Sequence, residues 1–309
     1  MVTARREHFQ YLLEPGLRKI FFDIYKSLPS LVPEIFNIET TDKPYETDVG
    51  IGTMGDFPKF EGTIEYDRPY QGYKAIYEFP EYAKGFQIER KLYDDQMYAV
   101  IKKQPVGLAI SANRRKERDG AAVFNGAFDT LGFDGVPLCH DSHPSKAPDG
   151  PPARSNVSTY KLSHASLREA TLAMQDTLDD RGGKIPVTPD TILVAPRLEE
   201  LAWQLVTAEG KLDKTHPGTN PNIHQGKLKV ISWAYLEDSN AWFLMDTSYR
   251  NMFLNWFDRV PLEFGADENF DTFTAKFRAY MRYNAGWSDW VWIHGSTGTT
   301  DHPADVAGE

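Results

Sequence analysis

One short stretch of the sequence, residues 140–143, carries side chains that could bind a metal ion. It reads His140-Asp141-Ser142-His143, and His164 follows further along the chain. Imidazole nitrogens and a carboxylate bind zinc, and an open coordination position would make such a site a metal-dependent hydrolase. The four residues are predicted to form a turn, where no i, i+4 helical spacing brings their side chains together. The pattern therefore favours a structural turn, in which Asp and Ser accept hydrogen bonds from backbone N–H groups.

Other catalytic patterns give no stronger signal. The sequence contains neither a Gly-Lys-Ser/Thr phosphate-binding loop nor a Gly-x-Ser-x-Gly nucleophile elbow. Cys139 has no activating partner apart from its neighbour His140, and adjacent side chains seldom face each other. We therefore predict no catalytic residue, no cofactor site and no metal site, and we do not expect the protein to be an enzyme.

Composition indicates an acidic globular protein. The chain has 309 residues, a net charge of −10 and a pI near 5.3, and 41% of its residues are hydrophobic. This length is sufficient for two lobes. No apolar run is long enough for a transmembrane helix, and the first residues lack the apolar core of a secretory signal. Cys139 is the only cysteine, so an intrachain disulfide is excluded and we expect folding in the cytosol.

The charge balance argues against a dedicated DNA-binding protein, because a surface that grips phosphates must be basic. The one basic cluster is Arg114-Arg115-Lys116-Glu117-Arg118. Acidic residues dilute it, so it favours a solvated helix face or a contact between subunits, with a DNA-binding groove as the alternative. An acidic lining would suit a container, since packaged DNA could slide over it.

The chain is organised around residues 92–144, a long polar helix followed by a loop rich in aromatic residues and glycine. Apolar positions occur at both ends of the helix, and its middle is polar on every face, which is typical of a helix that bridges solvent. A single helix of about 37 residues would be roughly 55 Å long. The alternative is two ordinary helices broken at Pro105.

Residues 45–90 are rich in aromatic residues and glycine. Within them Tyr73, Ala75, Tyr77 and Phe79 alternate with Lys74, Ile76 and Glu78, which predicts a strand, and residues 61–66 are its expected partner. A two-stranded ribbon is only marginally stable in water, so its aromatic face must be covered. A hairpin folded on its own domain is one solution, and a neighbouring subunit is the other. The candidate intersubunit contacts are Phe57, Phe60, Tyr66, Tyr70, Tyr73, Tyr77, Phe79, Arg114, Arg115 and Arg118.

The remaining elements follow from periodicity and capping signals. Residues 5–27 predict two short helical pieces interrupted at Pro15, and Ser163 predicts the N-cap of a helix. Buried strands are predicted at 191–195, 228–233 and 241–245, with a helix over 197–208. Strict alternation over residues 273–288 predicts a strand of about 50 Å, which could pair with residues 255–264. Residues 294–309 are predicted to be a flexible tail.

Four phrases in the middle of the chain carry a family resemblance. They are Asn125-Gly126-Ala127-Phe128, Phe133-Asp134-Gly135-Val136-Pro137-Leu138, Ser142-His143-Pro144 and Ser155-Asn156. In their order and spacing they resemble the major head subunit family of tailed bacteriophages, typified by the Mu-like major capsid protein and its HK97-type fold. The resemblance covers roughly residues 90–290.

The resemblance implies an α+β fold of the HK97 type. Its parts would be an N-terminal arm (1–45), an E-loop that lies across a neighbouring subunit (46–90), a peripheral domain (91–185 and 251–293) and an axial domain (186–250), followed by the tail (294–309).

The resemblance also implies a function, that of a major capsid protein which forms the hexamers and pentamers of an icosahedral head around double-stranded DNA. The expected partners are copies of itself, a portal at one vertex, a decoration protein and DNA bound without sequence specificity, with no membrane. A separate scaffolding protein is expected because the chain starts directly with the arm. The expected location is the virion, after assembly in the host cytoplasm. The alternatives are an encapsulin-like compartment and the metal-dependent hydrolase.

Overall fold

The computed structural model describes residues 9–51, 59–60, 62, 64, 66, 71–145, 147, 150, 154–210, 221–269 and 274–306. The chain divides into two compact units. Unit 1 comprises Met1–Tyr45, Glu78–Gly120 and Trp256–Ala285, and unit 2 comprises Glu46–Tyr77, Ala121–Asn255 and Gly286–Glu309. None of the helices in the described ranges combines the length and apolar composition that crossing a bilayer requires.

The elements of the described chain are numbered separately as helices and strands. The helices are α1 (Phe9–Ser27), α2 (Val32–Ile35), α3 (Arg90–Asp94), α4 (Tyr98–Ile101), α5 (Lys103–Asn125), α6 (His164–Gln175), α7 (Glu199–Thr207), α8 (Thr247–Phe253) and α9 (Pro303–Val306). The strands are β1 (Asn37–Thr40), β2 (Tyr45–Ile51), β3 (Gln71–Glu78), β4 (Glu81–Glu89), β5 (Val157–Tyr160), β6 (Thr191–Val194), β7 (Lys229–Ser232), β8 (Trp242–Met245), β9 (Leu254–Asn269), β10 (Thr274–Trp287) and β11 (Ile293–Thr300).

Unit 1 is built on a sheet of order β1-β9-β10-β4. The predicted long strand is confirmed as β10, 14 residues long, and its predicted pairing is confirmed because β9, 16 residues long, lies beside it. On its other side β10 pairs antiparallel with β4, from Thr274 opposite Glu89 to Arg282 opposite Glu81. The alternating apolar residues of β10 are buried from Ala275 to Tyr283, whereas Ala285 and Trp287 are only partly buried. Phe277 shares a core cluster with Phe21 of α1.

The predicted single helix of about 37 residues is wrong in its first part. Helix α3 ends at Asp94, and Gln96 then adopts a φ of 55°, in the left-handed region. The short helix α4 follows, and α5 begins at Lys103. The break is not at Pro105, which lies in the first turn of α5, where its missing N–H would have no acceptor inside the helix. Helix α5 has 23 residues and is therefore about 35 Å long.

The break predicted at Pro15 is wrong as well, because α1 runs through it as one helix of 19 residues. A proline inside a helix costs a hydrogen bond, and burial of the apolar positions Leu17 and Phe21 against the core of unit 1 offsets that cost.

Unit 2 contains a five-stranded sheet of order β5-β11-β8-β6-β7. The strands predicted at 191–195, 228–233 and 241–245 are confirmed as β6, β7 and β8, and every residue of β6 and β8 is buried. The predicted cap is confirmed too. Ser163 accepts a hydrogen bond from the Ser166 N–H, and the Ser166 side chain accepts one from the Ser163 N–H.

The C-terminal segment corrects a third prediction, since residues 294–306 are not a flexible tail. Strand β11 lies inside the sheet, parallel to β5 and antiparallel to β8. Its small residues fit this position, because a Cβ on Gly295 would lie 2.6 Å from the Cys139 sulfur. Ser296 is fully buried and donates to the Tyr160 carbonyl at 2.6 Å. Small polar residues suggest a loop in sequence, and here they satisfy a crowded sheet centre.

The aromatic strand is confirmed as β3, with Ala75 and Tyr77 buried and Lys74 and Ile76 exposed. Among the described residues β3 pairs with β2 (Tyr45–Ile51). Of the predicted partner, residues 61–66, the positions 61, 63 and 65 lie outside the described residues, and 62, 64 and 66 are not in a strand.

A chain that ends at Trp292 lacks β11, so β5 and β8 lose the strand that joins them. We expect this truncated chain to be insoluble, or to lose strand signal in circular dichroism, because buried backbone groups would be left without partners. A chain that ends at Val306 removes only residues 307–309 and should fold like the full-length protein. A soluble, fully folded chain ending at Trp292 would contradict the assigned place of β11.

Candidate functional site

Three of the family-like phrases meet in one buried polar cluster, which we call the signature cluster: Asp134, His143, Asn156 and Trp290. The His143 ring is 1% exposed and stacks on Trp290, with 4.3 Å between ring centroids. Its Nδ1 lies 2.8 Å from Asp134 Oδ2, and its Nε2 lies 3.0 Å from Asn156 Oδ1. Residues distant in sequence thus fix one imidazole from three sides.

The hydrogen bonds of Asn156 show that the Nε2 nitrogen of His143 is a donor. Asn156 Nδ2 donates to the carbonyls of Leu138 at 2.8 Å and Ile293 at 3.1 Å, and its Oδ1 accepts from the His140 N–H at 2.9 Å. Oδ1 is therefore an acceptor, so His143 Nε2 must donate to it. Nδ1 faces the Asp134 carboxyl group, so both ring nitrogens of His143 have a hydrogen-bond partner inside the cluster.

This geometry argues against the metal site considered from the sequence. Both ring nitrogens of His143 already have hydrogen-bond partners, so neither is open to a metal. His140 and Asp141 are more exposed, with 3.3 Å between Nδ1 and Oδ1, and the Ser142 N–H donates to the same His140 nitrogen at 3.1 Å. His164 lies beside His224 instead, with ring centroids 4.8 Å apart. In the ranges that the structure describes, no group of three or more His, Cys, Asp or Glu side chains could hold a metal ion.

The signature cluster joins the loop after α5 to the sheet of unit 2. Asn156 reaches β11 through the Ile293 carbonyl, and its own carbonyl accepts from the Gly295 N–H at 2.9 Å. Cys139 is buried between these segments, and burial raises the pKa of its thiol well above the usual range. The thiol therefore stays protonated and does not act as a nucleophile. The hydrogen bonds of Asn156 hold the loop after α5 against β11.

A cleft of about 430 Å³ in unit 2 adjoins the cluster and carries charges of both signs, including Asp134, Arg154, Lys184 and Asp289. The Arg154 guanidinium lies 5.0 Å from the centre of the Trp290 ring. Burial raises the pKa of Asp289, while N–H groups of Trp290 and Val291 that bond its carboxylate act against this shift.

The aromatic residues predicted to contact a neighbour fall into three groups. Phe57 and Tyr70 lie outside the described residues. Phe60 and Tyr66 are strongly exposed, at 70% and 86%. Tyr73, Tyr77 and Phe79 are covered by their own chain: Tyr73 is half-buried against Phe133, and the other two are 4% and 5% exposed.

The three arginines predicted to contact a neighbour also separate. Arg115 bonds Asp119 at 2.8 Å and lies over the Tyr82 ring, 4.5 Å from its centroid. Arg114 and Arg118 are exposed and make no hydrogen bond or ion pair with the part of the chain that is described. Sequence reasoning missed both partners of Arg115, although the i, i+4 spacing to Asp119 was a usable signal. No local spacing connects helix α5 to Tyr82 in β4.

Comparisons with known proteins give a family and a fold. The family model described as phage capsid protein matches residues 72–294. No curated protein sequence matches the chain significantly.

Among solved structures, the procapsid of bacteriophage JBD30 aligns with a TM-score of 0.53 and 14% identity, covering 96% of this chain and 77% of that one. The mature capsid of bacteriophage PhiM1 aligns with a TM-score of 0.52 and 10% identity, covering 87% of each chain. A virus-like particle from Pyrococcus furiosus gives 0.51 and 10%, covering 91% of this chain and 98% of that one. At these identities the likeness shows the fold alone, and the predicted α+β fold of the HK97 type is confirmed.

Replacing Asn156 by alanine would leave two buried carbonyls and the His143 Nε2–H without partners. Each buried polar group that loses its partner costs roughly 1–3 kcal/mol, so we expect the free energy of unfolding to fall by about 3 kcal/mol or more. The measurement is chemical denaturation followed by tryptophan fluorescence. Asn240→Ala, at an exposed asparagine, is the control and should cost less than about 0.5 kcal/mol. Equal losses in the two variants would contradict the role of Asn156.

The buried pair of His164 and His224 predicts a dependence on pH. Burial lowers the pKa of His224 from 6.5 to about 4, and the nearby charges of His164, Lys227 and Arg168 act in the same direction. On acidification the unfolded chain therefore takes up this proton before the folded chain does. The stability that His224 contributes is present above pH 6.5 and is lost as the pH falls from 6.5 through 4.

The loss should amount to about 3 kcal/mol over that range. His224→Gln, which stays neutral, should flatten this part of the curve when unfolding free energies are measured at several pH values. His294, whose pKa burial also lowers to about 4, still titrates in that variant, so some slope should remain. Identical curves for wild type and variant would contradict the prediction.

Proposed function

Since this chain belongs to the phage capsid protein family, we propose that it is the major capsid protein of a tailed phage. Copies of it assemble into the hexamers and pentamers of an icosahedral head that encloses double-stranded DNA. The observation that carries the proposal is the family match over most of the chain. The protein acts mechanically, as a structural component of the virion, and we assign it no enzymatic activity.

Exposed aromatic side chains support self-assembly. Phe60 and Tyr66 lie in the segment assigned as the E-loop and leave 70% and 86% of their surface to solvent. Burying such a ring on another molecule contributes roughly 1.5–3 kcal/mol, and aromatic residues are enriched where proteins meet. We propose that these two residues, together with Phe57 and Tyr70, bury their rings on a neighbouring copy. Tyr73, Tyr77 and Phe79 hold the base of the segment to its own chain.

The lengths of β9 and β10 also support an assembling subunit. Strands usually run 3–10 residues, and these have 16 and 14. We keep the predicted boundaries as our assignment: arm 1–45, E-loop 46–90, peripheral domain 91–185 and 251–293, axial domain 186–250. Assembly takes place in the host cytoplasm with a separate scaffolding protein, a portal at one vertex and a decoration protein.

The alternative is an encapsulin-like compartment with the same type of fold, and the structure of a virus-like particle from Pyrococcus furiosus does align with this chain. The match to the phage capsid family favours the phage head. The contents of purified particles separate the two functions, because a phage head holds DNA and a compartment holds an enzyme.

Negative-stain electron microscopy of the expressed, purified chain tests the proposal, and we expect ring-shaped oligomers and closed shells, whose size becomes uniform when the scaffolding protein is present. Phe60→Ser combined with Tyr66→Ser should fold normally, because both side chains are exposed, and should reduce the yield of shells at least tenfold, which corresponds to about 1.4 kcal/mol. Leu131→Ser combined with Met252→Ser is the matched control, since these residues are 69% and 63% exposed. A wild-type chain that stays monomeric at high concentration would contradict the proposal.

A further inference from the structure

Helix α5 has one exposed stripe along residues 103–118 on which every charged side chain is positive. At 100° per residue its five positions fall within an arc of about 80° and extend over about 22 Å. We call this the outward stripe; its members are Lys103, Gly107, Ile110, Arg114 and Arg118, all of them exposed.

The two acidic residues that follow Arg114 in the sequence, Glu117 and Asp119, are hydrogen-bonded within unit 1 and do not oppose the positive charge of the outward stripe. Glu117 is 4% exposed, and its Oε1 accepts from Ser30 Oγ at 2.6 Å and from the Leu31 N–H at 3.2 Å. Asp119 accepts from Arg115 Nε and from the Tyr283 hydroxyl, both at 2.8 Å. Both carboxylates are therefore committed to partners inside unit 1.

The positively charged residues of α5 fall into two groups, those paired within unit 1 and those left exposed. Lys116 reaches Asp258 at 3.3 Å and lies over the Tyr283 ring, 5.3 Å from its centroid. In contrast, Lys103, Arg114 and Arg118 have no hydrogen bond or ion pair within the ranges that the structure describes. The run of both signs in the sequence thus becomes a purely cationic surface on a chain whose net charge is −10.

We propose that the outward stripe binds the phosphate backbone of duplex DNA without reading its sequence. This inference rests on the proposed function, because a head filled with DNA brings phosphates against the protein. Arginine suits the task, since its planar fork donates two hydrogen bonds to one phosphate.

The chemistry of the stripe favours DNA over an acidic protein segment. A duplex carries one charge per about 1.7 Å, so roughly a dozen phosphates lie along the stripe in any register. Between the cations the stripe offers only Gly107 and Ile110, which cannot hydrogen-bond to base edges. A protein partner would be expected to bury aromatic or large apolar anchors, and the stripe has only half-exposed Ile110.

Three phosphate contacts make the binding of one copy weak. They predict a slope of about −2.7 for the logarithm of the association constant against the logarithm of salt concentration. Many copies in one shell add their weak contacts, while any single contact exchanges readily. Such a lining holds DNA close and still lets it slide.

The test measures fluorescence anisotropy of a labelled DNA duplex of random sequence with the full-length protein over a series of sodium chloride concentrations. Arg114→Gln combined with Arg118→Gln should reduce the magnitude of the salt slope by about 1.8. The matched control is Lys91→Gln combined with Arg197→Gln, which removes two exposed cations outside the stripe and should keep the wild-type slope.

Three outcomes would overturn the inference. They are absence of DNA binding by the wild-type protein at low salt, equal slopes in the two double variants, and binding of labelled polyglutamate to the stripe without measurable affinity for DNA, which would assign the stripe to an acidic protein. The anisotropy is measured on unassembled subunits, because a closed shell would keep added DNA outside. Electron microscopy of the same variants under assembly conditions separates this failure from that of the proposed function. Shells formed by every variant with an unchanged slope would refute only the DNA contact, whereas a wild type without shells would refute the assembly.

Discussion

Each charged side chain that helix α5 buries has its own partner, and unit 1 depends on that pairing. Removing a charge from water costs several kcal/mol unless hydrogen bonds or an opposite charge replace the water. Glu117 meets this requirement by binding the chain just before α2, and Lys116 does so with Asp258 and two aromatic rings. A helix that is polar on most of its faces can therefore pack on a sheet, provided that the sheet presents complementary groups.

The signature cluster satisfies the same requirement in unit 2. The His143 ring lies between the carboxyl group of Asp134 and the amide oxygen of Asn156, and it stacks on Trp290. In an enzyme such a group would be free to exchange a proton with a substrate. Here Asn156 uses its remaining hydrogen-bonding capacity on backbone carbonyls, so the cluster fixes the loop against β11. The side chains that first suggested metal chemistry are used to hold shape, which is what a shell subunit requires.

The pairing of buried side chains also determines which charged and aromatic side chains remain exposed on the surface. Because the acids of residues 114–119 are bound inside unit 1, Arg114 and Arg118 remain exposed and unopposed. In the segment assigned as the E-loop, Tyr77 is buried on its own chain, and Phe60 and Tyr66 remain exposed. The proposed contacts with DNA and with neighbouring copies are both made by side chains that remain exposed when one chain has folded.

The sequence by itself determined the elements whose signals are local. Strict alternation placed β10, Ser163 placed the start of α6, and an ordered series of short phrases indicated the capsid family.

Only the tertiary structure decided the features that depend on distant partners. In the sequence, the Gly and Ser residues of β11 are typical of a loop. In the structure β11 lies between β5 and β8, and Gly295 is needed because Cys139 leaves no room for a side chain there. Pro15 would end a helix in isolation, and it is tolerated where the helix is held by its buried face. The hydrogen-bond partners of His143 come from segments far apart in the chain. The same is true of Glu117 and Lys116 in α5, because proximity in space decides which charged groups pair.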